Sequence, residues 1–248
     1  GNMAYSTLHY WKIVPYNANG DATGCTAISF TTQADPTVTT FPYTQNFDGV
    51  TAPALPNGWS VVNGATSNSV QWANTSTASA RSAPNAMFIS YDALNAMDDW
   101  FFSPPLQLTG GTSYQVTFYY RAGSTSYSER LEVQWGTAAS VAGMTGSLFN
   151  NPGFTNTSYA QGVSSTFTPA SSGIYYIGWH GYSIADELSI YVDDISIAAL
   201  NSPPSCASGF SPANLATGVD VTANLTWASG GGAPTGYKIF FGTDNPPT

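Results

Sequence analysis

Apolar and polar residues alternate with a period of two along most of this chain. In Tyr114-Gln115-Val116-Thr117-Phe118-Tyr119-Tyr120 the two kinds largely take turns, as a strand with one buried face requires. Leu131-Glu132-Val133-Gln134-Trp135 alternates throughout, which places Trp135 on the same face as Leu131 and Val133. Ile174-Tyr175-Tyr176-Ile177-Gly178-Trp179 and Leu188-Ser189-Ile190-Tyr191-Val192 are further β-rich runs. Turn clusters such as Gly110-Gly111, Asn151-Pro152-Gly153 and Ser171-Ser172-Gly173 separate them. The best helical stretch, residues 138–143, is short and made marginal by its Gly and Ser content. The pattern predicts an all-β chain.

Two breaks divide it. Thr31-Thr32-Gln33-Ala34-Asp35-Pro36 precedes a new apolar start at Phe41. Asn201-Ser202-Pro203-Pro204-Ser205 follows the run ending near Ala199, and paired prolines cannot continue a ladder. The expected units are therefore residues 1–35, 36–200 and 201–248. The central unit is long enough for a jelly-roll β-sandwich of eight or more strands that folds without disulfides.

The outer units are small. Leu8–Tyr16 and Cys25–Phe30 read as a hairpin, which alone is marginal in water. The Tyr10-Trp11-Lys12-Ile13-Val14-Pro15 run resembles the last strands of bacterial fibronectin type III domains. Asn224-Leu225-Thr226-Trp227 and Gly236-Tyr237-Lys238-Ile239-Phe240-Phe241 resemble the first strands of the same family. The resemblance implies a segment of a longer modular protein, with half a module at each end. The halves would then join into a smaller fibronectin-III-like sandwich burying Trp11, Trp227 and Tyr237 together. Cys25 and Cys206 would come close enough to bond in an oxidising compartment. The alternative is that the tails pack separately or pair between molecules.

Composition narrows the class. Only 8% of residues are charged and 14% are aromatic, as in extracellular β-proteins with neutral polar surfaces. Five Lys and Arg against 14 Asp and Glu give a net charge of −9. With no basic cluster to neutralise phosphates, nucleic acid and anionic membrane surfaces are poor partners. No apolar run approaches the roughly 20 residues of a membrane-spanning helix. The acidic surplus suits cation binding and equally keeps a neutral surface soluble.

Carboxylates gather at three strand-like edges: Phe47-Asp48-Gly49, Asp98-Asp99-Trp100 and Val192-Asp193-Asp194-Ile195. Adjacent acids repel and burial penalises them, a cost that a hard cation removes. Ca²⁺ takes six to eight oxygens, so three acidic ends brought together would form a cage. The other reading is solvated turn residues, since Asp is common at turns.

The same residues carry a second resemblance. Phe47-Asp48-Gly49, Leu55-Pro56-Asn57-Gly58-Trp59, Asp98-Asp99-Trp100-Phe101-Phe102-Ser103-Pro104-Pro105-Leu106, Leu131-Glu132-Val133, Trp179-His180 and Tyr191-Val192-Asp193-Asp194-Ile195 follow in order. Residues 41–199 thereby resemble the bacterial cleaved-adhesin domain, related to MAM domains and known from the adhesin regions of gingipain proteases. The resemblance implies a jelly roll with structural calcium held by Asp48, Asp99 and Asp193, with Asp98 and Asp194 as second choices. One feature departs from the family. The segment from Val61 to Asn68, where members often carry an Asp-rich loop, holds no acid.

Other chemistry is weaker. His180 with Asp186 or a serine would suit a triad, but no Gly-x-Ser-x-Gly elbow occurs and lone strand histidines are usually structural. Two histidines in different units make zinc improbable. Glu129 and Glu132, three apart on a strand, point to opposite faces and so cannot act as a glycosidase pair. Tyr91, Trp100, Tyr120, Trp135, Tyr175, Trp179 and Tyr182 are conceivable sugar platforms, though most Trp in a sandwich are core. Tyr119, Tyr127, Tyr159 and Tyr182 are the better surface candidates, together with the charge-free segment Asn150–Gln161.

The expected function is a non-catalytic adhesion or recognition module of a secreted, multidomain bacterial surface protein. It would bind an extracellular glycan or protein beside neighbouring domains of its own chain. The rival is an accessory targeting domain of a secreted peptidase or polysaccharide-degrading enzyme.

Overall fold

The computed structural model describes residues 2–64, 70–200, 205–230 and 236–244. Ahead of the central unit lie β1 (Leu8–Trp11), β2 (Tyr16–Asn17), β3 (Gly20–Asp21) and β4 (Ile28–Thr31). The central unit opens with β5 (Tyr43–Gln45), β6 (Ser60–Asn63), β7 (Ala73–Ser76), β8 (Asn85–Ser90), β9 (Asp99–Phe102) and β10 (Leu106–Leu108). It continues with β11 (Ser113–Ala122), β12 (Glu129–Gly136), β13 (Met144–Phe154), β14 (Ala160–Val163), β15 (Gly173–Gly181) and β16 (Ser189–Leu200). After it come β17 (Ser208–Ser211) and β18 (Thr226–Ala228). The marginal helical stretch becomes a single 3-10 turn, Val141–Gly143, whose Gly143 N–H donates to the Ser140 hydroxyl at 3.2 Å.

Two six-stranded antiparallel sheets make the sandwich. One runs β13-β12-β15-β9-β6, with β10 also paired to β15; the other runs β14-β11-β16-β8-β7, with β5 also paired to β16. In β11 the predicted alternation is complete: Tyr114, Val116, Phe118, Tyr120 and Ala122 are buried, and the residues between them are half-buried. The strand therefore lays one face on the core and offers the other outward. Pro152 sits in β13, whose place at the sheet edge tolerates a missing donor.

The core between the sheets is aromatic. Trp59, Phe101 and Trp179 lie against one another with ring centroids 4.9–6.0 Å apart. Phe118 meets Trp179 edge-on across the sandwich at 6.2 Å. Each such ring taken from water contributes about 2–3 kcal/mol. Gly58 and Trp59 explain their pairing in sequence. Gly58 has φ +82°, and a Cβ there would lie 2.5 Å from Pro36 and 2.8 Å from Pro104, so only glycine lets Trp59 turn inward. Between β9 and β10, Ser103 keeps the ladder closed: its N–H donates to Ile177 O at 2.8 Å, and its hydroxyl accepts from Ile177 N–H at 3.0 Å.

The tails depart from the joint module expected of them. β1 pairs with β4 from Leu8↔Thr31 to Trp11↔Ile28, and β17 pairs with β18. No ladder among the described residues joins one tail to the other. Each closes its backbone bonds locally, and a two-stranded ladder has no second sheet to cover it, so Trp11 and Tyr237 remain about half exposed. Of the expected aromatic trio, Trp227 and Tyr237 touch, with centroids 5.3 Å apart. Cys25 and Cys206 are both free thiols. The Pro203-Pro204 break and residues 65–68 of the acid-free loop lie outside the described residues.

Candidate functional site

The acidic ends fall into two places. On β16 the register passes from Thr117↔Ser196 to Tyr119↔Asp193, so Asp194 and Ile195 together oppose Phe118 in a β-bulge. Asp194 takes the left-handed conformation there, φ +46°. Asp193 shares the outer face with its partner Tyr119, yet it is fully buried because residues 81–82 cover it. Its Oδ2 accepts the N–H groups of Arg81 at 2.8 Å and Ser82 at 3.1 Å, and its Oδ1 accepts that of Asp194 at 2.7 Å. Burial pushes the Asp193 carboxyl up to about 7 against the pull of these donors. Asp194 pairs with the Arg81 guanidinium and accepts the Ser82 hydroxyl at 2.9 Å. Asp48 reaches the start of β8 just beyond that loop, accepting Asn85 N–H at 2.8 Å, and it also takes the Asn46 amide at 2.8 Å.

Asp98 and Asp99 stand apart from this group. They enter β9, in the other sheet, and alternation puts Asp99 on the core side with Phe101. The single cage of three acidic ends is thus divided by the sandwich itself: Asp193 faces outward from one sheet and Asp99 inward from the other. Asp99 is fully buried; among the described residues its Oδ1 has no hydrogen-bond partner and its Oδ2 receives only Asp98 N–H, at 3.2 Å. Burial raises its carboxyl to about 6. Among the described residues no group of three or more His, Cys, Asp or Glu side chains is arranged to hold a metal ion.

His180 is held on the outer side of that sheet. Its Nδ1 lies 2.8 Å from Glu132 Oε1 and its Nε2 lies 2.9 Å from Asp98 Oδ1. Among the described residues the ring meets these two carboxylates and not Asp186 or a serine, the pairing disfavoured from the sequence. Glu129, on the opposite face from Glu132 as its spacing predicts, is buried and accepts the Ser183 hydroxyl at 2.6 Å and Leu188 N–H at 2.8 Å. It is a structural carboxylate.

The outer face of the other sheet carries a feature that the sequence reading missed. Arg81, Arg121 and Arg130 are the only Lys or Arg residues between residues 36 and 200. Arg81 lies 3.5 Å from the centre of the Tyr119 ring, and Arg121 lies 4.6 Å from that of Tyr191 and 5.9 Å from that of Tyr159. Tyr159 is tied down through its hydroxyl, which donates to Ser79 O at 3.0 Å. The scarcity of cations, and Arg121 two residues from Tyr119 on an alternating strand, were the available signal. Of the aromatic candidates, Trp100, Tyr120, Tyr175 and Trp179 are buried, whereas Tyr119, Tyr159 and Tyr182 are half-buried and Tyr127 is exposed.

This sandwich, with its aromatic core and acidic strand ends, has the cleaved-adhesin fold. It matches the K1 cleaved adhesin domain of Lys-gingipain from Porphyromonas gingivalis W83 with a TM-score of 0.53 and 17% identity, over 65% of this chain and 99% of that domain. The K3 domain of the same protein matches at 0.51 and 16%, over 63% of this chain and 96% of that one. The K2 domain gives 0.51 and 18%, over 63% and 98%. No family profile and no curated relative matches the sequence. No helix among the described residues is long and apolar enough to cross a membrane.

Proposed function

We propose that the chain is a non-catalytic recognition module of a secreted, multidomain surface protein, presenting the central sandwich to an extracellular glycan or protein. The observation that carries this reading is the match to three adhesin domains over nearly their whole length. The polar, charge-poor surface and the half-buried tyrosines on the outer face support it. The test is binding of the purified chain to immobilised panels of glycans and extracellular proteins. Saturable binding to a member of either panel is expected; background signal throughout overturns the reading. A second reading, an accessory domain that holds a secreted peptidase or polysaccharide-degrading enzyme at its substrate, draws on the matched domains being parts of Lys-gingipain. A catalytic domain encoded beside this segment would favour it.

Structural calcium belongs to the same proposal, and the two acidic places fit it unequally. Around Asp193 and Asp194 the oxygens already face N–H donors and a guanidinium, which offset the charge without a metal. Asp48 is likewise engaged by N–H groups. Asp99 is different, because its buried Oδ1 is unpartnered and Asp98 lies beside it. We therefore assign the ion to Asp99, where it would neutralise the buried charge; the Asp98 carboxylate is engaged by His180 on the other face of the sheet. Thermal unfolding in excess EDTA and in excess Ca²⁺ tests this. Calcium should raise the midpoint of the native chain and not that of Asp99→Asn; equal midpoints for the native chain overturn the assignment.

A further inference from the structure

We propose that the outer face around Arg121 binds a carboxylate-bearing sugar, a hexuronic acid unit of an acidic glycan. The proposal rests on the recognition reading above and names its ligand class. It starts from a row of side chains that the sheet register sets side by side. Arg121 on β11 is directly opposite Tyr191 on β16, and Tyr191 is directly opposite Phe88 on β8. Cross-strand partners share a face, and all three residues are half-buried on the outward one. The Tyr191 and Phe88 rings are 4.9 Å apart, so guanidinium and aromatic surfaces form one continuous strip.

The charge at one end of this strip is unspent. Among the described residues Arg121 makes one side-chain hydrogen bond, from Nη1 to Thr157 O at 3.1 Å, of the five its guanidinium can donate. Its Nε–H is buried without an acceptor. Among the described residues no carboxylate lies within ion-pair distance of it, although acids outnumber Lys and Arg by 14 to 5 in the chain. Arg81 on the same face shows the contrast, since it lies over Tyr119 and also engages Asp194. The rings beside Arg121 offset part of its desolvation and hold the planar fork still. A pre-oriented guanidinium with free donors is complementary to a carboxylate, which it can grip through two parallel N–H···O bonds.

The neighbouring rings select the rest of the ligand. A pyranose presents a face of C–H groups that packs on an aromatic ring, and Tyr191 and Phe88 provide such rings next to the guanidinium. Nucleic acid fits poorly, since five Lys and Arg scattered over a chain of net charge −9 neutralise too few phosphates. The nearby acids do not compete for the fork: Asp193 is occupied by three N–H donors and Asp194 by Arg81.

Calorimetric titration of the whole chain with trigalacturonate and with a glucuronate-bearing oligosaccharide tests the assignment. Neutral oligosaccharides of equal length and the methyl ester of the uronate serve as comparisons. At least one acidic sugar should bind saturably, and Arg121→Gln, checked for an unchanged fold by circular dichroism, should weaken it about tenfold or more. Arg130→Gln, on the other sheet, should leave the affinity unchanged, and the methyl ester should bind as weakly as the neutral sugars. Failure of both acidic sugars to bind, or equal binding by Arg121→Gln, overturns the inference. If neutral glycans or proteins are bound while uronates are not, the recognition reading stands and this site falls.

Discussion

His180 lies flat on Trp100, with ring centroids 4.2 Å apart and planes within 7° of each other. The ring is thus held by two carboxylates at its edge and by the indole on its face. Trp100 in turn is buried with Phe102 and Met144 in a small second core on the outside of the sheet. His180→Ala removes the stack and two charge-assisted bonds. The bond to Asp98 is discounted, because that side chain is about half exposed. The expected loss is about 2 kcal/mol, read as a lower urea midpoint with an altered tryptophan emission. An unchanged midpoint would mean that solvent supplies what the ring does.

Asp99 and Asp193 together set a pH dependence. Their folded values, about 6 and about 7, lie above the ordinary carboxylate value of 3.8 because both are buried. A raised acid binds its proton more tightly in the folded state. Its contribution is therefore most favourable below about pH 4 and is lost as pH rises through the folded value. Metal-free protein should thus melt at lower temperature at pH 8 than at pH 5. For Asp99 the change over that interval is on the order of 1–2 kcal/mol, about half of the full effect between pH 4 and pH 8. Asp99→Asn should flatten the lower part of the profile and raise the midpoint at pH 8. A profile for the variant parallel to that of the native chain would show that Asp99 does not titrate in this window.

What the sequence disclosed and what it hid follow from distance along the chain. The strands of residues 114–120 and 131–135 were legible because alternation is local, and so was the opposition of Glu129 and Glu132. The Gly58-Trp59 pair was legible as a motif, though its reason, the approach of Pro36 and Pro104, needs the fold. His180 meets Glu132 across 48 residues and Asp98 across 82, and no pattern in one segment reveals such a pairing. The places of the acidic residues were hidden for a related reason. Adjacent carboxylates look alike in sequence, whereas the pleat and the bulge at Asp194 decide which side of which sheet each one faces. Arg121 was readable as an outward residue, but its place beside Tyr191 depends on the β11–β16 register.

The tails give a simple chemical test. Cys206 is exposed and Cys25 partly so, both are free, and their ladders are separate. Two thiols should titrate in denatured, unreduced protein. Native protein should also react at both, Cys206 first. Finding no titratable thiol would mean that the two tails meet in solution and bond as one module.

Gly58, Gly111 and Gly49 form a graded series that tests the packing around Trp59. At Gly49 a Cβ meets nothing within 4 Å and φ is not positive, so Gly49→Ala should change stability by less than about 0.5 kcal/mol. Gly111 has open space but φ +78°, so alanine there should cost about 1 kcal/mol from the backbone alone. Gly58 combines φ +82° with contacts of 2.5 and 2.8 Å to proline carbons, and proline rings cannot swing aside. Alanine there must move Pro36, Pro104 or the turn into Trp59, at a cost of about 2–4 kcal/mol. The Trp59 indole N–H donates to the Tyr43 hydroxyl at 2.9 Å, and its ring leans on Phe101 and Trp179. Displacement should therefore also weaken the near-ultraviolet dichroism of the folded state. Equal stability of the Gly58 and Gly111 variants would mean that backbone strain, and not the wall of prolines, is what keeps glycine at position 58.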